Sequence, residues 1–125
     1  MATLLPAYST CAGRMTAGER RLAQRLEAKL EHDYLCWFDV PVGPTNSHPD
    51  FIVLHPRRGL LILEVKDWKP DIIKSITKSD VSILTPSGLK HALNPLEQAR
   101  QFAHAVVNVL GSVHNQANQT NANAR

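Results

Sequence analysis

An α/β fold built on one core is predicted by three features of the chain. Two helical patterns, starting at Thr16 and Asn94, bracket a β-rich middle, and the apolar runs Phe51–His55 and Leu60–Lys66 flank a turn at Pro56-Arg57-Arg58-Gly59. Those runs are continuously apolar rather than strictly alternating, which suits strands covered by helices on both faces. The first fifteen residues show no steady period and are expected to be a loose lead-in. Thr16-Ala17-Gly18-Glu19 fits a capping box, after which Leu22, Ala23, Leu26 and Leu30 recur at helical spacing to about His32. Tyr34–Val40 reads as a first strand, and Pro41, Gly43, Pro44, Asn46 and Pro49 break the chain into a loop. The hairpin follows. Within Asp67–Leu93 only Val81–Thr85 carries a strand signal, with a turn at Pro86-Ser87-Gly88. Asn94-Pro95-Leu96-Glu97 supplies an N-cap, a proline at the first helical position and an early carboxylate. Leu96, Ala99, Ala103, Val106 and Leu110 then line one face of the second helix. The Asn/Gln/Ala tract after Gly111 is expected to be a disordered polar tail, 111–125.

Composition narrows the function classes. The 125 residues carry 14 Lys and Arg against 11 Asp and Glu, a formal charge of +3, with 43% hydrophobic residues: one ordinary domain. This modest positive balance permits a polyanionic partner without demanding one. No apolar run approaches the ~18 residues of a membrane span, and the N-terminus lacks a signal-peptide pattern, so a cytoplasmic protein without membrane partners is expected. Cys11 and Cys36 are too few for a metal knuckle and read as two reduced thiols.

One constellation carries chemistry. Glu64 and Lys66 are two apart on a predicted strand, so their side chains share a face. Pairing the hairpin about its turn sets Leu54 against Leu60. Four residues outward along each strand, the same register sets Asp50 against Glu64. Two facing carboxylates repel unless a proton or a cation lies between them, and an all-oxygen pair favours Mg²⁺ or Mn²⁺. Lys66 beside such a cation suits contact with a phosphate, where negative charge develops. The acid-x-Lys triplet also occurs at Glu27-Ala28-Lys29 and Asp67-Trp68-Lys69. Only Glu64-Val65-Lys66 ends an apolar strand opposite an aspartate. A second reading of these residues stays open: a strand-end ion pair of Glu64 with Lys66, and Asp50 capping a turn.

The order of helix with Gly18-Glu19, strand, loop ending Pro49-Asp50, hairpin ending Glu64-Val65-Lys66, and helix opening Asn94-Pro95-Leu96-Glu97-Gln98 resembles the nuclease-related domain family, the NERD group of the PD-(D/E)XK nuclease superfamily. The resemblance covers roughly residues 16–110. It implies an αβββαβ sandwich, with Asp50 and Glu64 as ligands of a divalent metal and Lys66 as the catalytic ammonium in phosphodiester hydrolysis, and DNA as the expected substrate. It also implies company with a helicase, a topoisomerase-type zinc finger or a kinase module. The final strand of that core has no candidate after Leu110, so this chain is expected to be an incomplete piece of a longer architecture.

Glu19 and Gln98 are subsidiary site candidates. Glu19 shares the apolar face of its helix, from which it would join the metal ligands, and its alternative role is the capping box with Thr16. Gln98, one turn into the second helix, suits orientation of a ligand or of Lys66, its alternative being a solvated glutamine. His48 and His55 are assigned to no metal, Trp37 and Phe38 are read as core, Trp68 as core or a nucleic-acid contact, and Arg57 and Arg58 as phosphate contacts or solvated turn charges. Two functions are therefore carried forward: a divalent-metal nuclease, and a non-catalytic nucleic-acid-binding or interaction module on the same fold.

Overall fold

The computed structural model describes residues 1–123, a mixed α/β domain with two sheets and three helices. The first sheet holds β1 (Thr3–Leu5), β2 (Leu35–Phe38), β3 (Phe51–His55) and β4 (Gly59–Leu63) in that spatial order. β1 runs parallel to β2, and β2, β3 and β4 are mutually antiparallel. Two of the helices, α1 (Tyr8–Cys11) and α2 (Ala17–Lys29), precede β2, and α3 (Pro95–Asn123) follows the strands.

Residues 1–15 correct the expectation of a loose lead-in. β1 pairs with β2, and Ala2, Leu4, Cys11 and Met15 are buried in the core with Cys36, Phe38, Phe51 and Val53. The Ala2 amide also donates to the Glu27 carbonyl at 3.1 Å, tying this strand to α2. The segment escapes periodicity because three strand residues and one helical turn are too short to show any.

α2 forms where the capping box predicts. The Glu19 amide donates to Thr16 Oγ1 at 3.2 Å, and the Thr16 amide donates to Glu19 Oε1 at 2.8 Å, satisfying two donors of the helix start. The helix ends at Lys29, with the Leu30 amide bonded to the Leu26 carbonyl. Its apolar face, with Ala23 fully buried and Leu22, Leu26 and Leu30 beside it, packs on the sheet face formed by Cys36, Phe38, Phe51 and Val53. Gly18 permits close approach: a Cβ there would run into the Asp67 carboxylate and lie 3.2 Å from Val65 Cγ1.

The hairpin register is the one the sequence sets. Leu54 faces Leu60, His55 faces Gly59, and Phe51 faces Leu63. Gly59 has φ +92°, a left-handed conformation that favours glycine, at the end of the turn. At this tip His55 is buried, its Nε2–H directed at Asp33 Oδ2 at 2.8 Å while its Nδ1 accepts from the Arg57 amide at 3.1 Å. The two hydrogen bonds fix the tautomer and hold the turn against the chain leaving α2.

The second sheet is a meander of β5 (Ile73–Ile76), β6 (Asp80–Thr85) and β7 (Gly88–Leu93), inserted between β4 and α3. Sequence patterning finds only the middle strand. β5 and β7 are mostly exposed, so neither carries a strong alternation, and Ile76, Leu84 and Leu89 remain in contact with solvent. Asn94 joins this sheet to α3: its side-chain amide donates to the Thr77 carbonyl and its Oδ1 accepts from the Leu96 amide. Leu96, assigned to the buried face, is 80% exposed. The helix also continues past Gly111 to Asn123, where the polar composition predicts disorder. Ala and Gln in that stretch favour helix, and an established helix extends at the cost of fixing one residue at a time. Ala124 and Arg125, the end of the expected tail, lie outside the described residues. Among the described residues no strand follows α3, and no helix is long and apolar enough to cross a membrane.

Candidate functional site

Asp50 and Glu64 meet where β3 begins and β4 has just ended. The Asp50 amide donates to Glu64 Oε1 at 3.2 Å, and the Val65 amide donates to Asp50 Oδ2 at 2.8 Å. Each carboxylate thus reaches across to the opposite strand. Pro49, fully buried, anchors the chain immediately before Asp50, and the Asp39 amide binds the Asp50 carbonyl at 3.1 Å. β4 ends at Leu63, so Glu64, Val65 and Lys66 lie just past the strand expected to carry them. Continued one residue beyond each strand, the alternation sets the two acids on the sheet face of Trp37, Ile52, Leu54 and Leu60. That is the face crossed by Val106 and Leu110 of α3, with an apolar cleft of about 450 Å³ between helix and sheet.

The pair is electrostatically loaded. Burial, with the charge of Asp50 beside it, pushes Glu64 up from 4.5 to about 7, against the pull of the Asp50 amide and the Lys66 ammonium. The shift favours the protonated form of Glu64 beside Asp50. Two carboxylate ligands are a number that Mg²⁺ accepts, since it keeps several waters and takes its remaining oxygens from phosphate. The donor set fits a hard divalent ion on that ground, with Asp50 and Glu64 as the residues that would hold it.

Lys66 is exposed, and its Nζ lies 5.7 Å from the centre of the Trp68 ring, a cation–π contact. It forms no ion pair with Glu64, although its charge acts on that group. The strand-end ion pair is thus not what occupies these residues. Trp68, which the sequence leaves between core and a nucleic-acid contact, is half-buried and stands against the Lys66 ammonium.

The structure does not bring the two subsidiary candidates onto the pair. Glu19 is buried and committed to the capping box, on the helix packed against the opposite sheet face. Among the described residues, no three His, Cys, Asp or Glu side chains stand close enough to hold a metal ion together, so Glu19 does not complete a triad with Asp50 and Glu64. Gln98 is half-buried in the first turn of α3; its amide donates to the Asn94 carbonyl, and its side chain makes no hydrogen bond to the pair or to Lys66. Beside the site, Asp39 accepts from Arg14 at 3.1 Å and pairs with His48 at 3.2 Å. Asp39 holds φ at +53°, unusual for a residue with a side chain, and nothing in the sequence flags it beyond an Asp before a Pro-rich loop.

The fold is a mixed α/β domain whose hairpin carries a carboxylate pair, with a lysine two residues beyond Glu64. The family model of the nuclease-related domain matches residues 14–122, and the chain belongs to that family. No match was found among curated proteins or among solved structures.

Proposed function

We propose that this chain is a divalent-metal-dependent nuclease domain of the PD-(D/E)XK type, hydrolysing phosphodiester bonds, with DNA as substrate. The observation that carries the reading is the cross-strand pair: Asp50 and Glu64 each accept a backbone N–H of the other strand, which fixes two carboxylates in one place and leaves Glu64 basic enough to share a proton. Asp50 and Glu64 would hold Mg²⁺ or Mn²⁺. Such an ion, when bound, supplies Lewis acidity toward a phosphoryl oxygen and a water acidic enough to attack near neutral pH. Lys66 contributes positive charge at the exposed mouth of the pair, where it meets the non-bridging oxygens of the scissile phosphate. Trp68 holds that ammonium near the mouth until a phosphate competes for it. Gln98 is kept as a candidate for orienting the substrate, through movement of its free side chain rather than through any present contact.

A second reading, a nucleic-acid-binding module without turnover, is favoured by one specific observation: Glu19 is spent on the helix cap, which leaves two carboxylates and no third. The experiment that separates the two is strand cleavage of labelled DNA in Mg²⁺ or Mn²⁺. The nuclease reading expects slow cleavage that Lys66→Ala abolishes while DNA binding persists. Binding with no cleavage in either ion would establish the module.

A further inference from the structure

α2 lies across one face of the first sheet, with the Glu27 carbonyl accepting the Ala2 amide on its β1 side. Its first turn sits on the chain just past β4, Gly18 against Val65 and Asp67, and the chain leaving its last turn meets the hairpin tip, Tyr34 and Asp33 against Arg58 and His55. Arg21, Arg25 and Lys29 recur every four residues along this helix, and all three are exposed. Arg25 stands two turns beyond Gly18 and so points to the flank that Gly18 turns toward the β4 side. Together with Gln24 and Ala28 the three cations line one shallow groove of about 550 Å³. None of the three makes an ion pair or a hydrogen bond.

Such a row is unusual in what it lacks. Of the two carboxylates within α2, Glu19 is committed to the helix cap, and Glu27 is half-buried and two residues from Arg25, on a different side of the helix. Asp33 is held by His55, and Asp67 stands at the Gly18 end. Beyond each end of the row stands a further cation that forms no ion pair, although the charge of Lys66 acts on Glu64. Lys66 lies on Trp68 at one end; at the other, Arg58 donates to the Tyr34 hydroxyl beside a second pocket of about 300 Å³. Successive cations on the helix are about 6 Å apart, so Arg21 to Lys29 spans about 12 Å. Along a duplex, where each strand carries a phosphate per ~3.4 Å of axis, that length covers three or four phosphates.

We infer that the Arg21–Arg25–Lys29 face of α2, continued by Arg58, is the track on which the phosphate backbone of a nucleic acid lies as it approaches, round the β4 edge of the sheet, Asp50 and Glu64 on the other sheet face. The inference rests on the nuclease-domain reading for the identity of the polyanion and adds the surface that binds it. Unpaired, regularly spaced cations neutralise successive phosphates and release their counterions, which gives affinity without sequence preference.

The test is fluorescence anisotropy of a labelled single strand and of its duplex with the full chain in EDTA, as a function of salt. EDTA removes hydrolysis from the readout, so the result does not depend on turnover. Arg21→Gln/Arg25→Gln/Lys29→Gln is expected to lower the magnitude of the salt slope by about 2–3 and to weaken binding to every sequence alike. Lys74→Gln/Lys78→Gln/Lys90→Gln, with the same loss of charge on the second sheet, should leave the slope nearly unchanged. Since all six side chains are exposed, circular dichroism should show every variant folded. A protein that binds through this row yet never cleaves supports the track and counts only against the hydrolytic reading. Equal effects of the two triple variants, or no nucleic-acid binding at all, overturns it. Tighter binding of phosphatidylserine vesicles or of an acidic peptide through the same three residues assigns the surface to a different partner and overturns it as well.

Discussion

Glu64 accepts the Asp50 amide while Asp50 accepts the amide of the residue after Glu64, so each acid is held by the strand that carries the other. The pairing fixes both carboxylates without a third side chain. It also makes the pair a liability in the absence of a cation, because two acids in a half-buried position cannot both ionise freely.

That liability has a pH signature. The folded-state value of Glu64, about 7, lies above its ordinary 4.5, so between those values the folded chain binds more protons than the unfolded one. Stability contributed by Glu64 is then fully present below about 4.5, falls as pH rises through about 7, and is flat above. Urea unfolding in EDTA on either side of this window should show wild type losing ground to Glu64→Gln as pH rises. Parallel curves would mean that Glu64 ionises in the folded chain as it does in the unfolded one.

Glu19 separates two roles that the sequence leaves open. A glutamine keeps the carbonyl oxygen that accepts the Thr16 amide, so Glu19→Gln should preserve both helix and metal affinity. Thr16→Ala, which removes the side chain accepting the Glu19 amide, should cost about 1 kcal/mol. Loss of Mn²⁺ affinity in Glu19→Gln, read by calorimetry, would return Glu19 to the ligand set.

Gly18 tests how tightly α2 seats against the strand end that carries the pair. Alanine there meets the Asp67 carboxylate, an exposed group able to swing away, and gains helix propensity, so little net change in stability is expected. Valine would also press on Val65 and should destabilise by about 1–3 kcal/mol. Thermal melts of the two variants make the comparison, and equal melting temperatures would show the contact to be slack.

Leu4 tests the corrected N-terminus. It is 5% exposed in the core cluster, so Leu4→Ala should cost about 2–4 kcal/mol. A cost within experimental error in denaturant unfolding would restore the reading of residues 1–15 as a loose lead-in.

What the sequence made legible follows from the strength of each local signal. The β3–β4 register was readable because a Gly59 turn joins two apolar runs and a one-residue slip would reverse every face; the acid pair was readable through that register. The capping box marked the start of α2, and Asn94-Pro95 marked α3. β1 was hidden because three residues cannot display a period, and its partner β2 lies some thirty residues on. β5 and β7 were hidden because exposed strands need no alternation. The Lys66–Trp68 contact and the commitment of Glu19 to its cap are choices of side-chain geometry, which spacing does not decide.

The central claim is that Asp50 and Glu64 together hold one divalent ion, and Mn²⁺ titration followed by electron paramagnetic resonance tests it most directly. The account expects wild type to bind Mn²⁺, with affinity falling as pH drops below about 7 because the ion must displace the shared proton, and expects Asp50→Asn/Glu64→Gln to lose that binding. Unchanged Mn²⁺ binding in the double variant would contradict it.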